Sequence, residues 1–558
     1  MRLALPLLLG PVLGTGALRS PDPDHAKIDA IFAQYDHTNS PGCALGVYRD
    51  GRIVYSRGYG MADLNQGIAI TSATPFYIAS TSKQFTAFSV ALAAEQGRLS
   101  LDDPIRKFIP ELPAYAEAIT VRHLVHHLSG IRDYLGLWSV SGRSFADQVP
   151  EAVALDLITR QKQLDFGPGT EWSYSNSGYF LLSVIVHRAT GLSLRQFAEK
   201  NLFGPLGMTA THFHDDQNEI VSHRAEGYQA KPTGGFEIVK TSFALVGDGG
   251  LYTTVDDLLK WDSNFYANRL GSRGQALIDQ VLTKGRFNNG EESRYAFGLF
   301  PSSYRGLATV DHGGAFIGYR AELLRFPSEK FSVAVLCNEG SAATEAMAHQ
   351  VADLYLADRL GPIEGTATAA GTAAVSTVPA AKLDRYLGRY ELGPGMIVAI
   401  GRAGTGIEAS AFGQKFPLAA QTDSTFAGNG PLGTLEFRIG PSGEVTLYSK
   451  QLSIGGPGKK FAEAPVLDAA GLAGYTGRYS SDELDTWATI EVKDGALMLR
   501  SRLGPWTKME PLTVDGFIVN GARLAFDRGA GRAITGFRLS AGRLANVGFS
   551  RIPPKTSR

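Results

Sequence analysis

A serine hydroxyl and a lysine amine three positions apart are the groups in this sequence best suited to covalent chemistry. They are Ser80 and Lys83 in Phe76-Tyr77-Ile78-Ala79-Ser80-Thr81-Ser82-Lys83. On a helix, positions i and i+3 share a face, so the amine can sit beside the hydroxyl. Serine is a poor nucleophile at neutral pH, and a desolvated amine within hydrogen-bond reach can take its proton. Alone, the pair also fits a polar first turn with a solvated lysine, a pattern that a long chain meets by chance. Two later stretches add to it. Glu171-Trp172-Ser173-Tyr174-Ser175-Asn176 supplies a phenol and an amide, and Asp311-His312-Gly313-Gly314-Ala315 supplies a histidine and two glycines. Taken singly, these are an aromatic loop before a helix and a glycine turn.

The elements that must position these groups follow from periodicity. Ala44 to Tyr48 and Arg52 to Tyr59 flank Asp50-Gly51 and predict a hairpin. Ser80 opens a predicted amphipathic helix, with Phe85, Phe88, Val90, Leu92 and Ala93 on its buried face and Gly97 as its stop. A helical lobe follows, with segments near 122–128, 152–161, 179–190, 193–201 and 255–266. Strands are expected at 308–311, 319–326 and 331–337, then a helix from about Thr344 to Leu360. Strands from both ends of this region, with helices between, predict one sheet assembled from distant segments. Small residues from Gly365 to Ala374 read as a linker. Beyond it, short alternating runs such as 396–400, 444–448, 489–492, 496–499 and 517–519 predict antiparallel β structure. Tyr386-Leu387-Gly388-Arg389-Tyr390 recurs as Tyr475-Thr476-Gly477-Arg478-Tyr479, which predicts two tandem β-domains.

Composition sets the outer limits. At 558 residues the chain exceeds one ordinary core, and its 54 basic and 54 acidic residues balance without a long run of either sign. This argues against nucleic acid or an anionic membrane as the main partner. Met1-Arg2 followed by apolar Leu3 to Leu13 and small residues to Ala17 reads as an export signal too short to span a bilayer. A periplasmic or secreted protein is therefore expected, with an unstructured terminus as the competing reading. Cys43 and Cys337 are the only cysteines, and both fall in apolar strand-like runs. The default is two buried free thiols, with a disulfide left open if the fold joins the two strands. His123 and His127 have helical metal-ligand spacing, but no carboxylate motif joins them, so no metal is expected.

With the motifs in that order, the chain resembles the serine β-lactamase and penicillin-binding-protein superfamily. The likeness is to the branch of class C β-lactamases, D-aminopeptidases, DD-peptidases and related esterases. Its signature is Ser-x-x-Lys, Tyr-x-Asn, then Lys-Thr-Gly or His-x-Gly. His123-Leu124-Val125-His126-His127-Leu128-Ser129-Gly130 and Gly249-Gly250-Leu251-Tyr252-Thr253-Thr254 are similar to two further family stretches, so the likeness spans about 40–360. His126 and Leu128 depart from the usual Ser and Thr. The resemblance implies a multidomain α+β protein with a β-lactamase-like catalytic domain followed by two small antiparallel β-barrels. The expected divisions are signal 1–17, hydrolase 21–362, linker 363–380, and β-domains 381–466 and 467–558. It also implies that the first strand, with Cys43, runs antiparallel to the strand ending at Cys337.

By resemblance, Ser80 attacks a carbonyl to give an acyl-enzyme, and Lys83 and Tyr174 carry the proton. Asn176 orients the lysine and bonds the substrate amide. The N–H groups of Ser80 and Ala315 hold the oxyanion, after His312-Gly313-Gly314, where glycine admits substrate to the backbone. No cofactor is required. A lysine stands in classical β-lactamases where this chain has His312, which is mostly neutral near pH 7, so a peptidase or esterase is favoured over a β-lactamase. The expected substrate is a small peptide or amide, including those with D-residues, with a carboxylesterase as runner-up. A non-catalytic envelope binder or sensor is the alternative of another class. Homo-oligomerisation is left open. In the D-aminopeptidase layout a loop of the last β-domain limits the site. Ser481-Asp482-Glu483-Leu484-Asp485 is a candidate for that loop, although a solvated hairpin turn is the favoured reading.

Overall fold

The computed structural model describes residues 23–240, 243–362, 378–411, 414–428, 432–449, 458–462, 466–502 and 504–553. The expected signal and most of the expected linker lie outside these residues.

The Asp50-Gly51 turn forms the predicted hairpin. Both residues have positive φ, 51° and 74°, as a two-residue hairpin turn requires, and strands Cys43–Arg49 and Arg52–Tyr59 pair across it. These strands close one edge of a six-stranded antiparallel sheet. The rest comes from the far end of the region, in the order Phe300–Tyr304, Leu307–Phe316, Tyr319–Phe326 and Phe331–Cys337, the last pairing with Cys43–Arg49. Helices His25–Phe32 and Thr344–Tyr355 cover one face through an apolar cluster that includes Phe32, Val333 and Val351. The helical lobe packs on the other.

The two strands run antiparallel, as the resemblance implies, in a register that sets Cys43 directly opposite Cys337, and here the expectation of free thiols is corrected: the two form a disulfide. Their Cα atoms are 4.0 Å apart, so antiparallel pairing itself brings the thiols together.

The helix after Ser80 also differs from its prediction. It runs Lys83–Glu95 and is buried on every side down to Ala93, so it is a central helix and not an amphipathic one. Ser80 precedes it in a tight 3₁₀ turn, Ala79–Ser82. Gln84, polar yet buried, accepts from the Trp261 indole at 2.7 Å and from Arg325, which pairs with buried Asp262. Such a satisfied network fixes the helix against the lobe and the sheet.

Past the linker, strands from Gly388–Gly393 to Gly458–Lys460 form a closed barrel. The second unit is a nine-stranded antiparallel sheet that curls without closing, with Thr507–Lys508 and Glu510–Thr513 at its two edges. The sequence repeat has a structural cause. In each copy the second tyrosine donates to the carbonyl of the first at 2.7 Å, Tyr390 to Tyr386 and Tyr479 to Tyr475. The intervening Gly388 and Gly477 take φ of 139° and 147°, which only glycine adopts without strain.

Loop 481–485 is not the solvated turn favoured from sequence. Glu483 is only 5 % exposed and pairs at 2.5 Å with Arg132 of the catalytic domain, itself 1 % exposed. Arg132 also donates to Asp165, Gln161 and the carbonyls of Ala545 and Asn546. Five acceptors from both domains thus satisfy one buried guanidinium, which locks the nine-stranded sheet onto the lobe.

Candidate active site

Three segments far apart in sequence meet at Ser80. Strand Phe76–Tyr77 pairs with Leu251–Thr253, and Ile78 N–H donates to Leu251 O, so the turn holding Ser80 hangs from that strand. Ala79, just before Ser80, has φ of +46°, a strained value for a residue with a side chain. Strand Leu307–Phe316 lies hard against this turn. A Cβ on Gly314 would stand 2.1 Å from Ile78 O, so glycine is required there, and Thr81 Oγ1 donates to His312 O at 3.2 Å. The neighbouring strand Phe300–Tyr304 stops pairing at Asp311, which leaves residues 312–316 without a strand along that edge.

Lys83 Nζ lies 3.1 Å from Ser80 Oγ, 2.9 Å from Asn176 Oδ1 and 2.5 Å from the carbonyl oxygen of Asp248. Burial disfavours its charge and lowers its pKa to about 7. Asp248 and Asp133 oppose the shift, and Arg543 adds to it. The geometry then assigns the protons. A neutral amine has two N–H groups and one lone pair, and Asn176 Oδ1 and the Asp248 carbonyl can only accept. Both N–H groups go to them, and the lone pair is left facing the Ser80 hydroxyl.

Tyr174 OH is buried with no hydrogen-bond partner among the described residues. Burial raises its pKa well above the usual phenol value, although the adjacent Ser80 hydroxyl and Arg543 pull it down in part. It is therefore protonated at neutral pH and is no phenolate, which leaves the Lys83 amine as the group facing Ser80 Oγ that can accept a proton. Lys83 Nζ sits 4.8 Å from the centre of the Tyr174 ring.

His312 is 3 % exposed, and its pKa is lowered to about 3 by burial and by Lys83. Its neutral ring is fully used. Gly313 O, at 2.6 Å from Nδ1, can only accept, so Nδ1 carries the proton and Nε2 accepts from Tyr295 OH at 2.9 Å. His312 therefore brings no charge to the cleft. Of the residues after it, Ala315 is exposed and shares a cavity of about 110 Å³ with Ser80, Tyr174, Asn176 and Asp248. A larger groove of about 640 Å³ continues from Ser80 past Gly313, Gly314 and Ala315 to Glu345.

Three further residues shape the site. Asp133, 3 % exposed, accepts from both the backbone and the side-chain nitrogen of Asn176, at 2.7 and 2.8 Å, and so aims Oδ1 of Asn176 at Lys83. Asp248 supplies the carbonyl that holds Lys83, and its carboxylate accepts from Tyr134 OH at 3.1 Å. Burial raises its pKa to about 6. Arg543 sits on the tight turn between strands Ile534–Ala541 and Leu544–Arg551 of the last domain. It donates to Tyr174 O at 3.2 Å and lines both cavities. So the last domain does reach the site, through residue 543 and not through 481–485. The sequence marks none of the three with a motif; Asp248 alone adjoins one, the Gly249-Gly250 turn.

His123 and His127 do not converge. The helix is Val121–Val125, His123 closes its capping box with Thr120, and His127 lies beyond it with φ of +59°. His126 contacts the Tyr295 carbonyl at 3.1 Å, and Leu128 is buried.

Comparison with known proteins agrees with this arrangement. A family model described as Beta-lactamase matches residues 28–357. The chain is 27 % identical over 529 residues to a D-aminopeptidase of Cereibacter sphaeroides, covering 92 % of this chain and 96 % of that one. It is 30 % identical over 317 residues to a D-aminopeptidase of Brucella anthropi, covering 56 % and 58 %. Among solved structures, the octameric penicillin-binding protein homologue from Pyrococcus abyssi shares the fold with a TM-score of 0.56. It has 24 % identity and covers 77 % of this chain and 99 % of its own. No helix among the described residues is long and apolar enough to cross a membrane. The chain belongs to the beta-lactamase family, as a serine hydrolase.

Proposed function

We propose that this serine hydrolase cleaves small peptides or amides that begin with a D-residue, through an acyl-enzyme on Ser80. The observation that carries the reading is the lone pair of Lys83, left over once Asn176 and Asp248 have taken its two N–H groups. Ser80 Oγ adds to the substrate carbonyl while its proton passes to Lys83 Nζ. The resulting oxyanion lies between the N–H groups of Ser80 and Ala315. Tyr174 gives its proton to the leaving amine and is reprotonated from Lys83, and the C–N bond breaks. Water then adds to the ester by the reverse proton path and releases the acid.

The small cavity beside Ser80 supports the substrate class. Tyr77, Tyr134, Leu135, Phe243 and Leu245 line it and favour a short apolar side chain. Asp248 lines the same cavity and is the carboxylate available to an α-ammonium group. That is the role considered for loop 481–485, whose Glu483 is spent on Arg132. The D-aminopeptidases of Cereibacter sphaeroides and Brucella anthropi, among other relatives of that name, support the same reading. The neutral, internally bonded His312 speaks against a β-lactamase, which relies on a fixed cation there.

The test is kcat/KM for D-alanine amide, L-alanine amide, N-acetyl-D-alanine amide, a D-Ala-D-Ala peptide, p-nitrophenyl esters and a cephalosporin. Preference for the free-amine D-amide supports the proposal, and turnover of esters alone replaces it with the carboxylesterase. The disulfide supports an oxidising compartment, hence a periplasmic or secreted protein, which fractionation would check. A homo-oligomer is proposed by analogy with the octameric homologue, with light scattering as its test.

A further inference from the structure

On the far side of strand Leu251–Thr253 from the Ser80 turn, strand His212–Phe213 presents a second group of convergent side chains. Strand alternation puts His212 and His214 on one face, with Phe213 in the core on the other. His214 N–H donates to Gly250 O at 2.7 Å, and both imidazoles pack on Tyr252, so both rings are fixed in direction. They face Glu219. Ligand atoms of the three residues all lie within 4.8 Å of one another.

The nitrogens that point at Glu219 have no hydrogen-bond partner. His212 Nε2 stands 3.7 Å and His214 Nδ1 3.4 Å from the same carboxylate oxygen, Oε2. His214 is only 6 % exposed, so bulk solvent does not reach its ring. These separations are long for hydrogen bonds but match a shared ion. Ligands about 2.1 Å from a tetrahedral centre are about 3.4 Å from one another. The charged neighbours are Arg195, which grips both oxygens of Glu219 at 2.5 and 2.6 Å, Asp215 on Arg195, and Arg224 over Tyr252. Arg195 meets the carboxylate head-on and fixes it in place, as outer partners of metal ligands do, and leaves a flank lone pair of Oε2 for an ion.

We propose that His212, His214 and Glu219 bind one divalent transition ion of the zinc class, with water completing its shell. Two imidazoles and a carboxylate are the donor set such ions prefer over magnesium or calcium. The ion would tie the 215–219 segment to strand His212–Phe213, which pairs with strand Leu251–Thr253. From that strand hang both the Ser80 turn and the loop that holds Lys83, so the role is structural.

The full chain, with any affinity tag removed, is stripped with chelator and titrated with Zn²⁺ by calorimetry and with Co²⁺ by visible absorption. One ion per chain, tetrahedral cobalt bands and a raised Tm are expected. His212→Gln and Glu219→Gln should each weaken binding by about 100-fold or more, beyond the loss of an outer partner, while Ser80 still labels with a fluorophosphonate. His212 is the preferred site for substitution because its ring is less buried than that of His214. No ion bound by the parent protein, or parent-like affinity in either variant, overturns the proposal. Binding is the readout, so the result stands apart from the substrate assignment.

Discussion

Arg132 Nη1 and Glu483 Oε2 lie 2.5 Å apart with both side chains closed off from water, one from the catalytic domain and one from the C-terminal sheet. Removing one member of a buried pair leaves the other charged and unpaired, which costs about 3–5 kcal/mol. Arg132→Met should cost that much, because it strands Asp165 as well as Glu483. Urea denaturation should show a lowered midpoint, and limited proteolysis should release the last domain sooner. A parent-like midpoint would mean that the pair does not hold the domains together.

The rate should rise with pH through about 7, where Lys83 gives up its proton. Two variants should move this limb in opposite directions. Asp248→Asn removes an anion that favours the ammonium form, so the limb moves to lower pH. Arg543→Gln removes a cation that disfavours it, so the limb moves up. Each shift should be on the order of one pH unit or less. If kcat/KM profiles of both variants shift the same way, the limb belongs to another group.

Tyr174→Phe should separate acylation from proton delivery. Loss of a general acid lowers kcat by about 10²- to 10⁴-fold. Fluoride leaves without a proton, so labelling by a fluorophosphonate should persist in Tyr174→Phe and vanish in Ser80→Ala. Loss of labelling in both would place the tyrosine in the first step.

The Cys43–Cys337 bond closes a loop across 294 residues of sequence and should contribute about 2–4 kcal/mol. The double variant Cys43→Ala/Cys337→Ala should unfold at lower urea and keep its activity at 25 °C, since neither residue lines the cleft. Reductant should lower the midpoint of the parent and leave the variant unmoved.

Local signals carried much of the fold. The Asp50-Gly51 turn, helix Val255–Tyr266, and strands Tyr319–Phe326 and Phe331–Cys337 are where periodicity and turn chemistry put them. Ser80, Lys83, Tyr174 and Asn176 were legible because each sits in a short motif. Asp133 was not, since its partner Asn176 is 43 positions away and no local pattern links them. Glu483 looked solvated because the cation that buries it is 351 positions distant. The thiols were misread for a related reason. Apolar strand context explains why a cysteine is buried, but the bond depends on the two being direct cross-strand neighbours.

Arg543 reaches Tyr174 from a turn near the end of a chain whose nucleophile lies at position 80. A growing polypeptide therefore carries its serine, lysine and tyrosine long before the guanidinium that tunes them is made. Premature termination or proteolytic trimming ahead of the last two strands would leave the lobe uncovered and its lysine more basic. Lys83 should therefore titrate higher in a chain cut ahead of Ile534 than in the parent.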